Sequence, residues 1–456
     1  MKEVAASIDW PALVAAAGRV LQLAGEKSLR LDRSWNPADG TPVFTIAGKY
    51  ATRGWTEWTQ GFQYGCLILA GDGIDDQRLL ELGRERTGER MFPHVTHTGV
   101  HDHGFNNLST YGNLLRLMNE GRLPEDEWER RTYENAIAAS GAVQAARWSP
   151  TACGLGYVYS FNGPHSLFID TMRTIRILGV AHQLGHVLMG ENDARTNLLG
   201  RLIQHGLATA KYIVFHGDST HSYDIRGRTA HEGTFNCNDG RFRARATQQG
   251  YSPFSTWTRG LAWAMLGYAE QVEFLATLPS VEFREAGFQK QQVLREFRRC
   301  AIDTCDHYLN EASAADGVTY WDDGAPDLHR LGEWRDEPAD PFNDYEPVDA
   351  SAAAIAAHGL VRLGRSLGER KGRKYHLAGL QLAKTLFAEP YLSTKKNHQG
   401  LLLHSIYHWP NRWDHVPPGS AIARGESSMW GDYHLVELAL LIQRLGNEES
   451  YPVFFV

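Results

Sequence analysis

Apolar residues recur at helical spacing in six segments of this chain, and each segment opens with an aspartate or a tryptophan. The six segments begin near Trp58, Asp102, Asp170, Trp257, Asp349 and Trp430. More strongly charged helical stretches alternate with them: 1–25, 75–86, 124–148, 191–214, 281–309 and 371–389. Small residues let apolar helices approach closely, and amphipathic helices can cover them. The pattern therefore predicts an all-α closed double ring of about six inner and six outer helices.

Long loops precede some of the apolar segments, for example 216–256 and 316–348, and loops of this length usually carry function. Strand signals are sparse, and we expect only short hairpins in VTYWDD (318–323) and GLLLHSIYHW (400–409). A chain of 456 residues could form two domains, but the even spacing of the helices favours a single domain over 1–456.

The charge balance narrows the class of partner. Acidic residues outnumber basic ones, 53 to 46, and the chain has no pronounced run of lysine and arginine. Neither nucleic acid nor an anionic membrane surface is therefore an expected partner. No stretch approaches the about 20 consecutive apolar residues that a membrane-spanning helix needs.

The cysteines, the N-terminus and the glycines carry further expectations. The five cysteines are scattered and odd in number, which favours reduced thiols and a cytoplasmic protein. Residues 1–25 have the pattern of an amphipathic helix rather than a signal peptide. Because no glycine-rich phosphate loop follows a strand, we expect no cofactor. The sequence leaves the oligomeric state open.

The stretch HTGVHDHGF (97–105) sets Asp102 between His101 and His103 at the start of an apolar helix. Three interpretations fit it: a helix cap, a titrating acid, or a metal site that also uses the neighbouring histidines. Asp170 opens another apolar helix, and a cap is again the simplest interpretation. If both helices begin at one mouth of the ring, however, the two carboxylates share a cleft. The histidine spacing lacks the HxxxH step of a helical zinc site.

Several ordered motifs resemble a known family. In chain order they are HDHGF, SLFIDTMRT, HEGTFN, TQQGYSPFSTWTRGLAW, DASAAAIAAHGL and ESSMWGDYHLVEL. Together they resemble glycoside hydrolase family 88, the unsaturated glucuronyl hydrolases, and the related family 105 of unsaturated rhamnogalacturonyl hydrolases. The resemblance runs from about Trp55 to about Leu445. It implies an (α/α)6 barrel that removes a 4,5-unsaturated uronic acid from the non-reducing end of lyase-generated oligosaccharides.

The resemblance also assigns the catalytic pair. The family hydrates the vinyl ether between C4 and C5, so one group has to protonate C4 and guide water to C5. By resemblance Asp170 is this general acid and base, and Asp102 is its partner. Two nearby carboxylates tend to share a proton because their charges repel. We expect the flanking imidazoles of His101 and His103 to hold Asp102 by hydrogen bonds, and we expect His101 to contact the substrate as well.

The same motifs assign sugar contacts. His231 and Gln249 match the family's substrate-binding histidine and glutamine. Trp257 and Trp263 match aromatic positions that stack on a sugar ring, although core packing would also explain two tryptophans. Hydrogen bonds to the sugar hydroxyls suit both His231 and Gln249.

Two further assignments concern Arg259 and a pair of serines. Arg259 either meets the uronate carboxylate or braces a loop. Ser427 and Ser428 stand where the family holds the rest of the oligosaccharide. The chain departs from the family pattern DHDxGF, since Val100 precedes the His-Asp pair and His103 follows it.

Four other functions remain open at this point. They are another uronic-acid glycosidase, a polysaccharide lyase on the same barrel, a metal-dependent hydrolase that uses HTGVHDH, and a sugar-binding barrel without catalysis. A lyase creates the unsaturated uronide that the proposed hydrolase consumes, so the direction of the absorbance change in the near ultraviolet separates these two.

Overall fold

The computed structural model describes residues 1, 7–54 and 57–455. Residues 2–6 of the predicted N-terminal helix, and Trp55 at the start of the family resemblance, lie outside the described residues. The first eight α-helices are α1 (Trp10–Ser34), α2 (Gln60–Ile74), α3 (Gln77–Arg90), α4 (Phe92–Val95), α5 (His103–Asn107), α6 (Asn113–Asn119), α7 (Glu127–Ala146) and α8 (Thr171–Thr174). The others are α9 (Arg176–Gln183), α10 (Leu198–Tyr212), α11 (Thr258–Thr277), α12 (Ser280–Glu285), α13 (Lys290–His307), α14 (Ala350–Leu386) and α15 (Met429–Gly446).

The helices form two concentric rings. The inner ring consists of α2, the α5–α6 pair, the α8–α9 pair, α11, the first half of α14, and α15; each contacts the next, and α15 closes the ring against α2. The outer ring consists of α1, α3, α7, α10, α13 and the second half of α14. Gly368, with φ 74°, breaks α14 between its inner and outer halves. The predicted all-α (α/α)6 architecture is confirmed.

The predicted openings of the inner helices are close to the observed ones. Asp102, Asp170, Trp257 and Asp349 occupy the N-cap positions of α5, α8, α11 and α14. Trp58 lies in a 3-10 turn just before α2, and Trp430 is in the first turn of α15. These positions gather at one end of the barrel, where the helix N-termini contribute partial positive charge.

Glycine lets two inner helices touch at this end. A Cβ atom on Gly104 would lie 2.0 Å from the carbonyl oxygen of Thr174, which is closer than van der Waals contact allows. Helices α5 and α8 therefore meet backbone to backbone just below Asp102 and Asp170. The close approach places the two predicted catalytic residues at one mouth.

The strands are short and antiparallel. They are β1 (Phe44–Ile46), β2 (Lys49–Ala51), β3 (Trp148–Pro150), β4 (Gly156–Val158), β5 (Ser166–Phe168), β6 (Leu188–Met189), β7 (Arg195–Thr196), β8 (Glu232–Phe235) and β9 (Phe242–Ala246). β1 pairs with β2, β3 with β4 and β6 with β7, and β8 lies between β5 and β9. Just beyond β5, the backbone N–H of Ile169 donates to the carbonyl of His231 at 3.1 Å, which sets Asp170 beside His231.

The two predicted hairpins at 318–323 and 400–409 are wrong. The described residues there form only isolated bridges, such as Tyr320 with Val348 and Leu402 with Leu392. Their aromatic and β-branched residues pack into the core as ordered loops instead. Across the described part of the chain, no helix combines the length and apolar character needed to cross a bilayer.

Candidate active site

A cavity of about 150 Å³ opens at the end of the barrel where the inner helices begin. Both predicted acids, Asp102 and Asp170, line it. Each stands at an N-cap position, yet neither side chain makes a capping hydrogen bond. Capping therefore does not account for these two aspartates.

His101 joins the two carboxylates. Its Nε2 lies 3.1 Å from Asp170 Oδ1, to which it donates a hydrogen bond, and 3.8 Å from Asp102 Oδ1. The imidazole is buried between Phe161 and Phe168, whose ring centroids lie 6.0 and 5.7 Å from its own. One nitrogen thus contacts both acids, and the three side chains form a single charged cluster facing the cavity.

The cluster separates the proton affinities of its members. Burial raises the pKa of Asp102, and the charge of Asp170 adds to that effect against the opposing attraction of His101. Burial also disfavours the charged form of Asp170, but the charge and hydrogen bond of His101 outweigh it and hold the pKa of Asp170 below its usual range. Burial lowers the proton affinity of His101 too, yet the two aspartates more than compensate and raise its pKa. The cluster is therefore arranged to keep a proton near Asp170 while Asp170 itself is ionised.

The second flanking imidazole faces away from the cluster. His103 Nε2 donates to the carbonyl of His97 at 2.9 Å, and its Nδ1 accepts from the Ser140 hydroxyl at 2.7 Å. Burial lowers the pKa of His103 to about 3, so it is neutral. The prediction that His103 holds Asp102 is wrong, since it binds helix α7 instead. His101 bonds Asp170 rather than Asp102.

The metal interpretation used His94, His97, His101 and His103, and His94 is also engaged elsewhere. His94 Nε2 donates to Gln60 Oε1 at 2.7 Å, and its Nδ1 accepts from Asn106 at 3.1 Å. Among the described residues, no group of three or more histidine, cysteine, aspartate or glutamate side chains is placed to share a metal ion. His94 and His103 therefore brace this part of the structure.

The predicted sugar-binding histidine lies behind the cavity wall. His231 Nδ1 accepts from the backbone N–H groups of Gln248 and Gln249 at 2.9 and 3.4 Å. Burial lowers its pKa to about 3, so the neutral ring carries its proton on Nε2. Its ring centroid lies 4.7 Å from that of Trp257. His231 thus fixes the loop that brings both glutamines to the cavity.

Arg259 braces loops, which is one of the two roles that we predicted for it. Its guanidinium donates to Asp349 Oδ2 at 2.5 Å, to the Tyr407 carbonyl at 2.6 Å and to the Ile406 carbonyl. It also donates to Gln249 Oε1 at 3.0 Å. That bond turns the amide of Gln249 so that its NH2 group is the part left to donate to a ligand.

Trp257 and Trp263 line the cavity, together with Gln249 and Arg259, and both tryptophans are nearly fully buried. The structure does not bring Ser427 and Ser428 to the cavity lining. Ser428 caps α15 by accepting from Gly431, and the Ser427 backbone pairs with Thr45 of β1.

Sequence reasoning missed a whole wall of the cavity. It lies between Ile406 and Asp414, and only its first part, up to Trp409, falls within the hairpin that we predicted over 400–409. The lining residues that it contributes are Tyr407, His408, Asn411 and Trp413. Two tryptophans and a histidine within YHWPNRW were the available signal. Phe161 and Gln248 also line the cavity and were not predicted.

No family model matches the chain. Over 392 residues it is 25% identical to an unsaturated glucuronyl hydrolase of Formosa agariphila. The aligned region covers 84% of this chain and 78% of that protein. Over 425 residues it is 24% identical to an unsaturated chondroitin disaccharide hydrolase of Streptococcus pyogenes serotype M1, covering 91% and 88%. The resemblance to the unsaturated glucuronyl hydrolases is confirmed.

Solved structures agree on the fold. An unsaturated glucuronyl hydrolase specific for heparin superposes with a TM-score of 0.72 at 19% identity, covering 97% of this chain and 100% of that one. The unsaturated glucuronyl hydrolase of Bacillus sp. GL1 superposes with a TM-score of 0.70 at 20% identity, covering 98% and 99%. At this level of identity the structural similarity supports the double ring of helices. The chemistry has to be inferred from the residues of the site.

Proposed function

We propose that this chain is an unsaturated glucuronyl hydrolase. It would remove a 4,5-unsaturated uronic acid from the non-reducing end of lyase-generated oligosaccharides. The observation that carries the proposal is the placement of Asp102 and Asp170 on one cavity, with His101 in contact with both. The sequence relatives, which carry the same activity in their names, support it.

The reaction needs one proton delivered to carbon and one water activated. Protonation of C4 turns the C4–C5 double bond into a cation stabilised by the ring oxygen, and water then adds at C5 to give a hemiketal. The hemiketal opens by breaking the bond from C5 to the ring oxygen. C1 is left as a hemiacetal, which expels the leaving group. The bond to the leaving group therefore breaks without direct protonation of the glycosidic oxygen by the enzyme.

In this scheme Asp170 is the general acid and base. Because its carboxylate is ionised beside protonated His101, the proton for C4 passes from His101 Nε2 through Asp170. After the alkene has taken that proton, the Asp170 carboxylate accepts one from the attacking water and returns it to His101. Asp102 lies in the same cleft, where burial shifts its pKa upward, toward the protonated form. Gln249, Trp257 and Trp263 hold the sugar.

The direct test incubates the protein with unsaturated disaccharides made by hyaluronan, chondroitin, heparin, ulvan and rhamnogalacturonan lyases. We expect near-ultraviolet absorbance to fall with at least one of them. Asp170→Asn should abolish turnover, since it removes the proton carrier while keeping shape and hydrogen-bonding capacity. Unchanged absorbance across the whole panel would refute the proposal.

The rival functions give different results in the same assay. A polysaccharide lyase would raise the absorbance of an intact polymer. A sugar-binding barrel would bind the disaccharides without turnover in both the wild type and Asp170→Asn. A metal-dependent hydrolase would contain stoichiometric metal by elemental analysis and would lose activity to a chelator. The engaged nitrogens of His94 and His103 argue against this last alternative.

Two broader assignments belong to the same proposal. We propose that residues 1–456 act as a single catalytic barrel, supported by the closed contacts of the inner ring. We also propose a cytoplasmic location. The five cysteines are unpaired thiols, and three of them are buried in the core, which suits a reducing compartment.

A further inference from the structure

Arg147 is a buried arginine at the C-terminal end of α7, where it is 6% exposed. Its guanidinium donates to three backbone carbonyls: that of Ser160 at 2.8 Å, that of Tyr159 at 3.2 Å and that of Thr98. The guanidinium carbon also lies 4.3 Å from the centroid of the Tyr159 ring. All of these partners are uncharged, so none of them neutralises the positive charge of the arginine.

The three carbonyls belong to the two loops that enclose His101. Thr98 lies three residues before His101, in the loop that leads into α5. The other two carbonyls directly precede Phe161 in the chain. The Phe161 ring stacks on the His101 ring, with centroids 6.0 Å apart and an angle of 25° between the planes. One guanidinium therefore links the loop that carries His101 to the loop that covers it.

A second side chain of α7 anchors the same loop. Gln144 Nε2 donates to the carbonyl of His101 at 2.9 Å and to Thr174 Oγ1 at 2.8 Å. The last turn of α7 thus holds the His101 backbone without help from a charge. What Arg147 adds is the link to the second loop and a buried positive charge.

The charges that face His101 and Asp102 come from several elements of the fold. The titratable and charged side chains are Asp170 of α8, Arg147 of α7, His205 of α10, His231 of β8, Tyr407 of the cavity wall and His97 of the preceding loop. His205 and His231 are neutral, because burial lowers the pKa of each to about 3. Burial raises the pKa of Tyr407 to about 12, so it is neutral as well. Arg147 is therefore the permanent positive charge in this set.

That charge acts on both members of the pair. Burial lowers the pKa of His101, the two aspartates outweigh burial and raise it, and Arg147 opposes the rise. Burial raises the pKa of Asp102, and the charges of His101 and Arg147 oppose that rise. A positive charge near protonated His101 weakens its hold on the proton, which makes it a better acid toward Asp170.

We propose that Arg147 is a positioning residue of the proposed reaction, which clamps the two loops around His101 and holds a positive charge against the cluster of Asp102, His101 and Asp170. The proposal rests on the function proposed above. The clamp keeps His101 in contact with Asp170, and the charge eases the release of the His101 proton. Arg147 is not among the described residues that line the cavity, so it acts through His101 rather than on the sugar.

The clamp and the charge are separated by Arg147→Lys and Arg147→Met. Lysine keeps the charge but lacks the planar fork that reaches several carbonyls. We expect kcat on an unsaturated disaccharide to fall roughly tenfold in Arg147→Lys, with the alkaline limb of the pH–rate profile at its wild-type position. In Arg147→Met we expect kcat to fall about 100-fold and the limb to move to higher pH, because His101 then holds its proton more tightly. KM should change little in either variant.

Arg201→Met is the matched control. Arg201 lies on α10 and is a second partly buried arginine over an aromatic ring, with its guanidinium carbon 3.9 Å from the Trp148 ring centroid. Its side chain takes no part in the clamp. The control variant should leave both kcat and the alkaline limb unchanged.

Several results would overturn the proposal. One is an alkaline limb at the wild-type position in Arg147→Met, and another is a rise in KM with kcat unchanged, which would place Arg147 in sugar binding. Thermal unfolding of each variant identifies misfolding. If the methionine variant does not fold, Arg147→Gln also removes the charge, and the same movement of the limb is then required of it. A wild type that consumes no unsaturated substrate refutes the proposed function and this inference with it, whereas an active enzyme with an unmoved limb refutes this inference alone.

Discussion

Replacing Gly104 with alanine tests the packing that brings the two acids together. The added Cβ would lie 2.0 Å from the Thr174 carbonyl oxygen and 2.8 Å from the Thr174 Cα. Comfortable contacts between heavy atoms are about 3.5 Å, so α5 and α8 have to separate by on the order of 1 Å. Both neighbours are backbone atoms, and no side chain can rotate away to relieve the clash.

We expect this separation to cost stability and activity together. Overpacking a core typically costs about 1–3 kcal/mol, which exceeds the roughly 0.5–1 kcal/mol that alanine gains over glycine within a helix. Asp102 lies two residues before Gly104, and Asp170 lies four residues before Thr174, so the shift also widens the catalytic cleft. A misplacement of about 1 Å can lower the rate about 100-fold.

The assays are chemical denaturation followed by circular dichroism and kcat/KM on an unsaturated disaccharide. Gly88→Ala is the matched control, because Gly88 is an exposed glycine in α3 whose added Cβ would meet nothing within 4 Å. It should leave activity unchanged and stabilise slightly. If Gly104→Ala proved as stable and as active as the wild type, the backbone contact between α5 and α8 would not be what sets the cleft.

Two further predictions concern charged side chains. In His101→Gln we expect kcat/KM to fall about 100-fold. The alkaline limb of its pH profile should move from the raised pKa of His101, above 6.5, down to the range of the carboxylates. The reason is that Asp170 must then store the proton itself. A merely structural role would lower the rate and leave the limb in place in a pH–rate profile. In Arg173→Met the buried Glu270 and Glu437 lose a partner at 3.1 and 2.7 Å, and we expect a loss of about 3–5 kcal/mol in the free energy of unfolding. A denaturation midpoint equal to that of wild type would contradict this expectation.

The sequence was sufficient to predict the ring because its signal is repeated. Six apolar segments alternate with six amphipathic ones, so an error in one segment leaves the architecture intact. The positions of Asp102 and Asp170 followed from the same pattern, since residues that open inner helices must meet at one mouth. That His101 bonds Asp170, and that His103 faces away, depend on side-chain directions that no periodicity encodes. The catalytic roles of these residues stay predictions.

The wall between Ile406 and Asp414 shows where local patterns fail. Its first residues, Ile406, Tyr407 and Trp409, have strand propensity, and we predicted a hairpin over 400–409 on that basis. The structure instead uses distant partners to hold the backbone: Arg259, 147 residues away, binds the carbonyl of Ile406. Tertiary hydrogen bonds of this kind override local propensity, and a single sequence gives no sign of which arginine supplies them.

The inner helices α8 and α9 adjoin two buried charged clusters with opposite properties. Arg173 and Arg176 face Glu270 and Glu437, so each buried charge there meets an opposite one. At the mouth, Asp102 and Asp170 share the single imidazole of His101, and the two pKa values are driven apart rather than matched. In the arginine–glutamate cluster every charge is neutralised by a partner, so nothing drives proton exchange. In the other cluster two carboxyl groups compete for one imidazole, so their proton affinities differ. The arginine–glutamate cluster can therefore support the fold. The cluster of Asp102, His101 and Asp170 lies less than two helical turns away along the chain and remains available for proton transfer.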